Sequence, residues 1–228
     1  MFPDLVCVRT PLVNFHVLKD DAGLVLLDAG FIGGRHYLRE ALRERGWEDE
    51  LIRGILVTHG HLDHVLNVAS LAQEAGAWVA APRLDRERYL DKERSRGWSR
   101  VAGVLEAIGR PLLRFRSFTP DRWIDDGDEI DLWGGLRAVH LPGHTAGHTG
   151  YYCESRRLLF CGDLFASFRG WSHLPPSILN QDSAGIRESV YKALSLDLGG
   201  VVPNHADGAE PEEHLRRLQS LAARLRPD

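Results

Sequence analysis

Cysteine is scarce in this 228-residue chain, occurring only as Cys7, Cys153 and Cys161, with no C-x-x-C pair. An odd count without clustered spacing argues against a disulfide framework, so the three read as small buried hydrophobes. Long apolar runs are also missing, and no segment is suited to cross a membrane. The opening MFPDLVCVRTPLVNF lacks the basic stretch and apolar run of a secretory signal, so a cytoplasmic location is expected. Lysine is confined to Lys19, Lys92 and Lys192, and the net charge is −4 with a pI near 6.3. The basic residues between Arg83 and Arg122 alternate with Asp85, Glu87, Asp91 and Glu93, the pattern of a solvated helix surface and not of a phosphate track. The expected partner is a small molecule, with no nucleic acid and no membrane, and the chain a monomer or homodimer. Repeats, low-complexity tracts and Gly/Pro-rich linkers are absent as well, which predicts one domain over 1–228.

A hydrophobic fraction of 43% allows such a chain to bury a core without covalent staples. Strands are predicted at Leu5–Arg9, Val13–Leu18 and Gly23–Asp28, with a turn at Asp20-Asp21-Ala22-Gly23. The continuous run Leu24-Val25-Leu26-Leu27 suits a strand buried on both faces. Tyr37, Leu38, Ala41 and Leu42 recur at helical spacing, closed by Gly46. Ile55-Leu56-Val57-Thr58 is a short strand, followed by a helix around Val65–Ala72 and a strand at Ala77–Ala80. A charged helical excursion is placed at about 83–119. Strands are then predicted at Glu129–Leu132, Leu136–Leu141, Tyr151–Cys153, Leu158–Cys161 and Val201-Val202. Helices are predicted at Ile186–Leu194 and from about Pro211 to Leu225. Strand runs with helices between them make this an α/β chain.

The densest chemistry is Thr58-His59-Gly60-His61-Leu62-Asp63-His64, with four metal-ligand side chains in six positions directly after an apolar strand. On a loop at a strand end, His59 and His61 can reach one metal while Asp63 and His64 reach a second. Three further donors follow apolar runs: His144 in LPGHTAGH, Asp163 in LFCGD and His205 in VVPNH. Ends of buried strands are where open sheets place their sites. His16 reads as a packed strand residue, and His36, His140 and His214 as structural or exposed. His148 is read as a non-ligand, and His173 and Trp171 sit in a loop that can touch substrate.

Asp28-Ala29-Gly30, THGHLDH, PGHTAGH, CGD and the late His205, in this order, resemble the metallo-β-lactamase superfamily, particularly its glyoxalase-II-like and lactonase-like hydrolases. The resemblance implies a four-layer αββα sandwich holding two divalent metals, zinc first and iron or manganese as alternatives. It implies His59, His61 and His144 on one metal, Asp63, His64 and His205 on the other, Asp163 bridging both, and Asp28 steadying the ligand loops. Two positions depart from the family pattern. Val65-Leu66 follow His64 where Gly is frequent, and Ala206 follows His205 where Gly is usual.

The reaction implied is hydrolysis of a carboxylic ester, thioester or lactone by a metal-bridged hydroxide, with Asp63 both a ligand and a group that can orient the nucleophile or carry a proton. No G-x-S-x-G elbow is present to supply a serine nucleophile. Phosphodiester or ribonuclease-type hydrolysis by the same metal pair is the alternative that the acidic pI disfavours. A mononuclear iron sulfur dioxygenase would use a reduced ligand set, and a non-catalytic scaffold would lose ligands. About twenty residues follow His205, so the full glyoxalase II type, which the resemblance associates with an added C-terminal helical region, is not the expectation.

Overall fold

The computed structural model describes residues 2–90 and 108–225, so 91–107 of the charged excursion lie outside the described residues. The described residues gather into two compact units, 2–90 with 108–124 and 125–225.

In the first unit, strands β1 (Leu5–Val8), β2 (Phe15–Asp20), β3 (Gly23–Leu27), β4 (Ile52–Leu56), β5 (Trp78–Pro82) and β6 (Arg122–Ile124) form a 6-stranded sheet in sequence order. β1, β2 and β3 pair antiparallel, β2 and β3 through a tight turn, whereas β3, β4, β5 and β6 run parallel. The parallel part needs crossovers. Helices α1 (Gly34–Arg45) and α3 (Val68–Ala75) supply two of them. β3 is buried along its whole length, as its unbroken apolar run predicts. Leu38 and Leu42 of α1 and Val68 and Leu71 of α3 pack into one cluster with Val6, Phe15, Leu24, Leu26 and Ile55.

The predicted helix over Val65–Ala72 is two helices, α2 (Leu62–Val65) and α3, broken at Leu66-Asn67. Asn67 explains the break. Its amide donates to the carbonyls of Ala29, Gly30 and Phe31 at 3.0, 3.1 and 2.8 Å, which ties the loop after β3 to the end of α2. The excursion contributes a 3₁₀ turn at Arg83–Asp85, helix α4 (Arg86–Tyr89) and a helical stretch at 108–112.

The second unit holds β7 (Glu129–Ile130), β8 (Leu136–His140), β9 (Thr149–Cys153), β10 (Leu158–Gly162) and β13 (Gly200–Pro203), a 5-stranded sheet in the order β13-β10-β9-β8-β7. Only the β10–β13 pair is parallel. Helices α5 (Gly185–Leu194) and α6 (Pro211–Leu225) share a core with this sheet, through Ile186, Val190, Leu215, Leu218 and Leu221. Burying a leucine fully contributes roughly 1.5–3 kcal/mol, so the periodic face of α6 is a substantial anchor for β13. A small hairpin, β11 (Ala166–Phe168) and β12 (Trp171–His173), turns at Arg169-Gly170. The sequence does not announce it, because its strands are three residues long and lack apolar alternation. Cys153 and Cys161 are buried, and no disulfide forms. Burial pushes the Cys161 thiol far above its ordinary range, with the Asp163 charge adding to it.

His214 of α6 is buried, and Ser167 Oγ lies 2.7 Å from its Nδ1. Burial holds its imidazole below the usual histidine range. The charges of Asp207 and Glu213 and the Ala209 backbone oppose this, and Arg217 reinforces it. A folded pKa below the unfolded value of about 6.5 means stability is complete above that value and lost as pH falls through the folded one. Between pH 7 and 5 the thermal midpoint of chelator-stripped wild type is expected to fall more steeply than that of His214→Gln. Parallel curves would refute this assignment.

Candidate metal centre

In the first unit the donors follow β4. The chain continues through Val57 and Thr58 to His59, passes His61 in extended conformation at the N-terminus of α2, and places Asp63 and His64 in that helix. Asp28, at the end of β3, organises them. Its carboxylate accepts from the Thr58 N–H at 2.8 Å, the Thr58 hydroxyl at 2.7 Å and His64 Nδ1 at 2.9 Å. Asp28 is fully buried and holds φ 64, a region that residues other than glycine rarely adopt. The backbone adds a tie, with Ala29 N donating to His64 O at 2.9 Å.

These bonds set tautomers. A carboxylate only accepts, so His64 donates from Nδ1 and carries its lone pair at Nε2. The one hydroxyl proton of Thr58 goes to Asp28, so Thr58 Oγ1 accepts from His59 Nδ1 at 3.0 Å and His59 also carries its lone pair at Nε2. His59 Nε2 lies 3.2 Å from His61 Nδ1, and His64 Nε2 lies 3.6 Å from Asp63 Oδ2.

The peptide of Gly60, between His59 and His61, is clamped at both ends. Its N–H donates to Asp85 Oδ2 at 2.8 Å, and its carbonyl accepts from Arg110 Nη2 at 3.4 Å. Arg110 also donates from Nη1 to Arg88 O at 2.8 Å, and Asp85, Arg88 and Arg110 are all buried. A Cβ at position 60 would sit 2.6 Å from Arg88 Cβ, which is why glycine separates the two histidines.

The second unit repeats the logic with different groups. His144 follows β8 on the turn Pro142-Gly143, where Gly143 has φ 127 and a Cβ would meet Ile186 N of α5 at 2.2 Å. His144 Nδ1 lies 2.9 Å from Asn180 Oδ1. Asn180 Nδ2 donates to Pro175 O at 2.8 Å, which fixes the amide so that Oδ1 accepts and His144 carries its lone pair at Nε2. Asp163 leaves the end of β10 and His205 the end of β13. Asp163 Oδ2 stands 3.5 Å from His144 Nε2 and 3.1 Å from His205 Nε2. His148 is buried and not arranged as a metal ligand. It donates from Nδ1 to Leu141 O at 2.9 Å, and its Nε2 accepts from the Asp163 N–H at 3.0 Å.

The donor pairs within each unit therefore lie 3.1 to 3.6 Å apart. Two N or O ligands on one tetrahedral zinc, at about 2.0–2.2 Å each, stand roughly 3.3–3.6 Å apart, and somewhat closer in wider coordination. The chemistry of the set, imidazole nitrogens with oriented second nitrogens plus carboxylates, also fits zinc or iron.

The remaining histidines follow their structural readings. His16 is buried in β2, His36 is exposed beside Glu40, and His140 donates to Ala146 O at 2.7 Å. Asn180, Asp85 and Arg110 were not found by reading the sequence. No spacing rule links them to the motifs they support.

The family model described as the metallo-beta-lactamase superfamily matches residues 9–205. Among curated proteins, the hydroxyacylglutathione hydrolase GloC of Haemophilus influenzae is 29% identical over 65% of this chain and 64% of its own length. A hydroxyacylglutathione hydrolase of Rhizobium etli is 33% identical over 72% of this chain and 52% of its own length. The chain thus spans about half to two thirds of these curated relatives. Among solved structures, a metallo-β-lactamase family protein from Thermus thermophilus superposes with TM-score 0.74 at 20% identity, covering 98% of this chain and 79% of that one. The Cronobacter sakazakii metallo-β-lactamase with a HARLDQ motif gives 0.73 at 21% identity, over 98% and 90%. These superpositions establish the α/β fold expected from the sequence. With its model matched over most of the length, the chain belongs to the metallo-β-lactamase superfamily.

Proposed function

We propose that this protein is a dinuclear metal-dependent hydrolase of a small-molecule carboxylic ester, thioester or lactone. His59, His61 and His144 would hold one divalent cation and Asp63, His64 and His205 the other. Asp163 would join both, a reading its Oδ2 supports by approaching the imidazole nitrogens of His144 and His205. The observation that carries this reading is the fixed tautomer of His59, His64 and His144, each with its Nδ1 bonded to a protein oxygen. A histidine whose role was only structural would not need its second nitrogen so consistently oriented. The thioester arm is supported by the relatives named hydroxyacylglutathione hydrolases. Zinc is the first choice of metal.

When bound, the cations would acidify a water and polarise the scissile carbonyl. The residues of the chain have separate tasks. Asp28 and Asn180 orient the imidazoles. Asp63, a third exposed at its side chain, would align the attacking water and accept its proton. The Gly60 clamp keeps His59 and His61 at a fixed spacing, so a cation meets a preformed pair.

Two outcomes test this. Asp63→Asn is expected to lower kcat/KM on a thioester by at least about a hundredfold with an unchanged thermal midpoint, because it removes a proton acceptor and weakens a ligand without touching the core. Wild-type activity in that variant would sink the proposal. Asp85→Ala, which releases the Gly60 N–H, is expected to weaken zinc binding by about 10–100-fold in competition with a chromophoric chelator. Unchanged zinc affinity would show that the clamp does not set the donor spacing.

A further inference from the structure

A cavity of about 210 Å³ opens in the second unit beside His144, Asp163 and His205. Away from these donors its wall is made by Phe165, Phe168, Trp171, Pro175, Pro176 and Leu179. No lysine or arginine lines it among the described residues. His173 completes the wall. Its ring packs at a tilt of 48° against Trp171, with a centroid distance of 4.0 Å, and its Nδ1 donates to Leu174 O. Trp171 is 61% exposed and Leu179 40%, two large apolar side chains held at the rim of one cavity instead of scattered.

This wall is tied to the donors. The hairpin β11–β12 carries Phe168 and Trp171, and its Ser167 N–H donates to His205 O at 2.8 Å. Arg224 of α6 donates to Ser172 O at 2.9 Å and holds the other strand. On the opposite side, Asn180 bonds both His144 and Pro175 O, so the same amide that orients a donor also positions the proline wall.

We propose that this cavity receives the acyl group of the substrate, and that this group is apolar and uncharged, of about five to seven non-hydrogen atoms. This rests on the hydrolase reading given above. The size follows from the volume, at roughly 30 Å³ for each water- or methylene-sized group. A peptide-sized thiol would overfill it, which assigns the cavity to the acyl side. The charge follows from the wall away from the donors, because a carboxylate at the far end of the acyl chain would be desolvated against aromatic rings and prolines, with no lysine or arginine of the lining to pair with.

The test uses the zinc-loaded full chain and a thioester series with one constant thiol and acetyl, butyryl, hexanoyl or glutaryl acyl groups. kcat/KM is expected to rise about fourfold per methylene to hexanoyl, the factor for burying a methylene, and to be at least about tenfold lower for glutaryl than for butyryl. Trp171→Ala should flatten the hexanoyl-to-acetyl ratio. A second arm needs no turnover. Tryptophan fluorescence is titrated with neutral hexanamide and with anionic glutaramate, in wild type and Trp171→Phe. Hexanamide should shift the wild-type spectrum, glutaramate should not, and Trp171→Phe should lose the shift. Equal rates across the series, or equal responses to the two amides, would overturn the acyl assignment while leaving hydrolysis standing. Hydrolysis of no thioester, with hexanamide still selectively bound at Trp171, would remove the thioester arm of the hydrolase reading and keep an apolar binding cavity.

Discussion

A buried carboxylate at a strand end governs the candidate ligands of the first unit. Asp28 takes a backbone conformation unfavourable for its side chain, at φ 64, and is held there by bonds from Thr58 and His64. Residues other than glycine in such conformations cost of order 1–3 kcal/mol and persist where surrounding contacts over-determine them. Through those bonds one residue joins the ends of β3 and β4 to the start of α2, and it decides which nitrogen of His64, and by way of Thr58 which nitrogen of His59, carries the lone pair. Asn67 secures the same loop from below through three carbonyls.

The second unit reaches the same chemical end by other means. An amide, Asn180, replaces the carboxylate at His144, and its orientation is fixed by Pro175 O. His148 steadies the backbone of Asp163. An amide and an imidazole stand in the second unit where the first has the carboxylate of Asp28. Among the second unit's donors Asp163 is the carboxylate, and its Oδ2 lies near both His144 and His205.

Much of this was legible in the sequence because strand ends are. Unbroken apolar runs such as Leu24–Leu27 and Val201-Val202 end in Asp28 and in Asn204-His205, and the final helix begins at Pro211 and runs to Leu225 as its periodicity indicates. The supports were not legible, since they arise from approach in space. Asn180 lies 36 residues beyond His144, and Asp85 25 beyond Gly60. The need for glycine at position 60 comes from Arg88, whose Cβ occupies the space a side chain would take. The cavity wall was hidden for a related reason. A three-residue hairpin and a proline pair carry no periodic signal, though Trp171 and His173 stood out by residue type.

The measurement that bears most directly on the proposed centre is metal per chain by elemental analysis, on reconstituted wild type and on His144→Ala. Seven donors holding a cation pair require about two zinc, iron or manganese per chain in the wild type and about one in the variant, which strips a donor from a single cation. No metal after reconstitution, or a content that His144→Ala leaves unchanged, would contradict a dinuclear centre built from these residues.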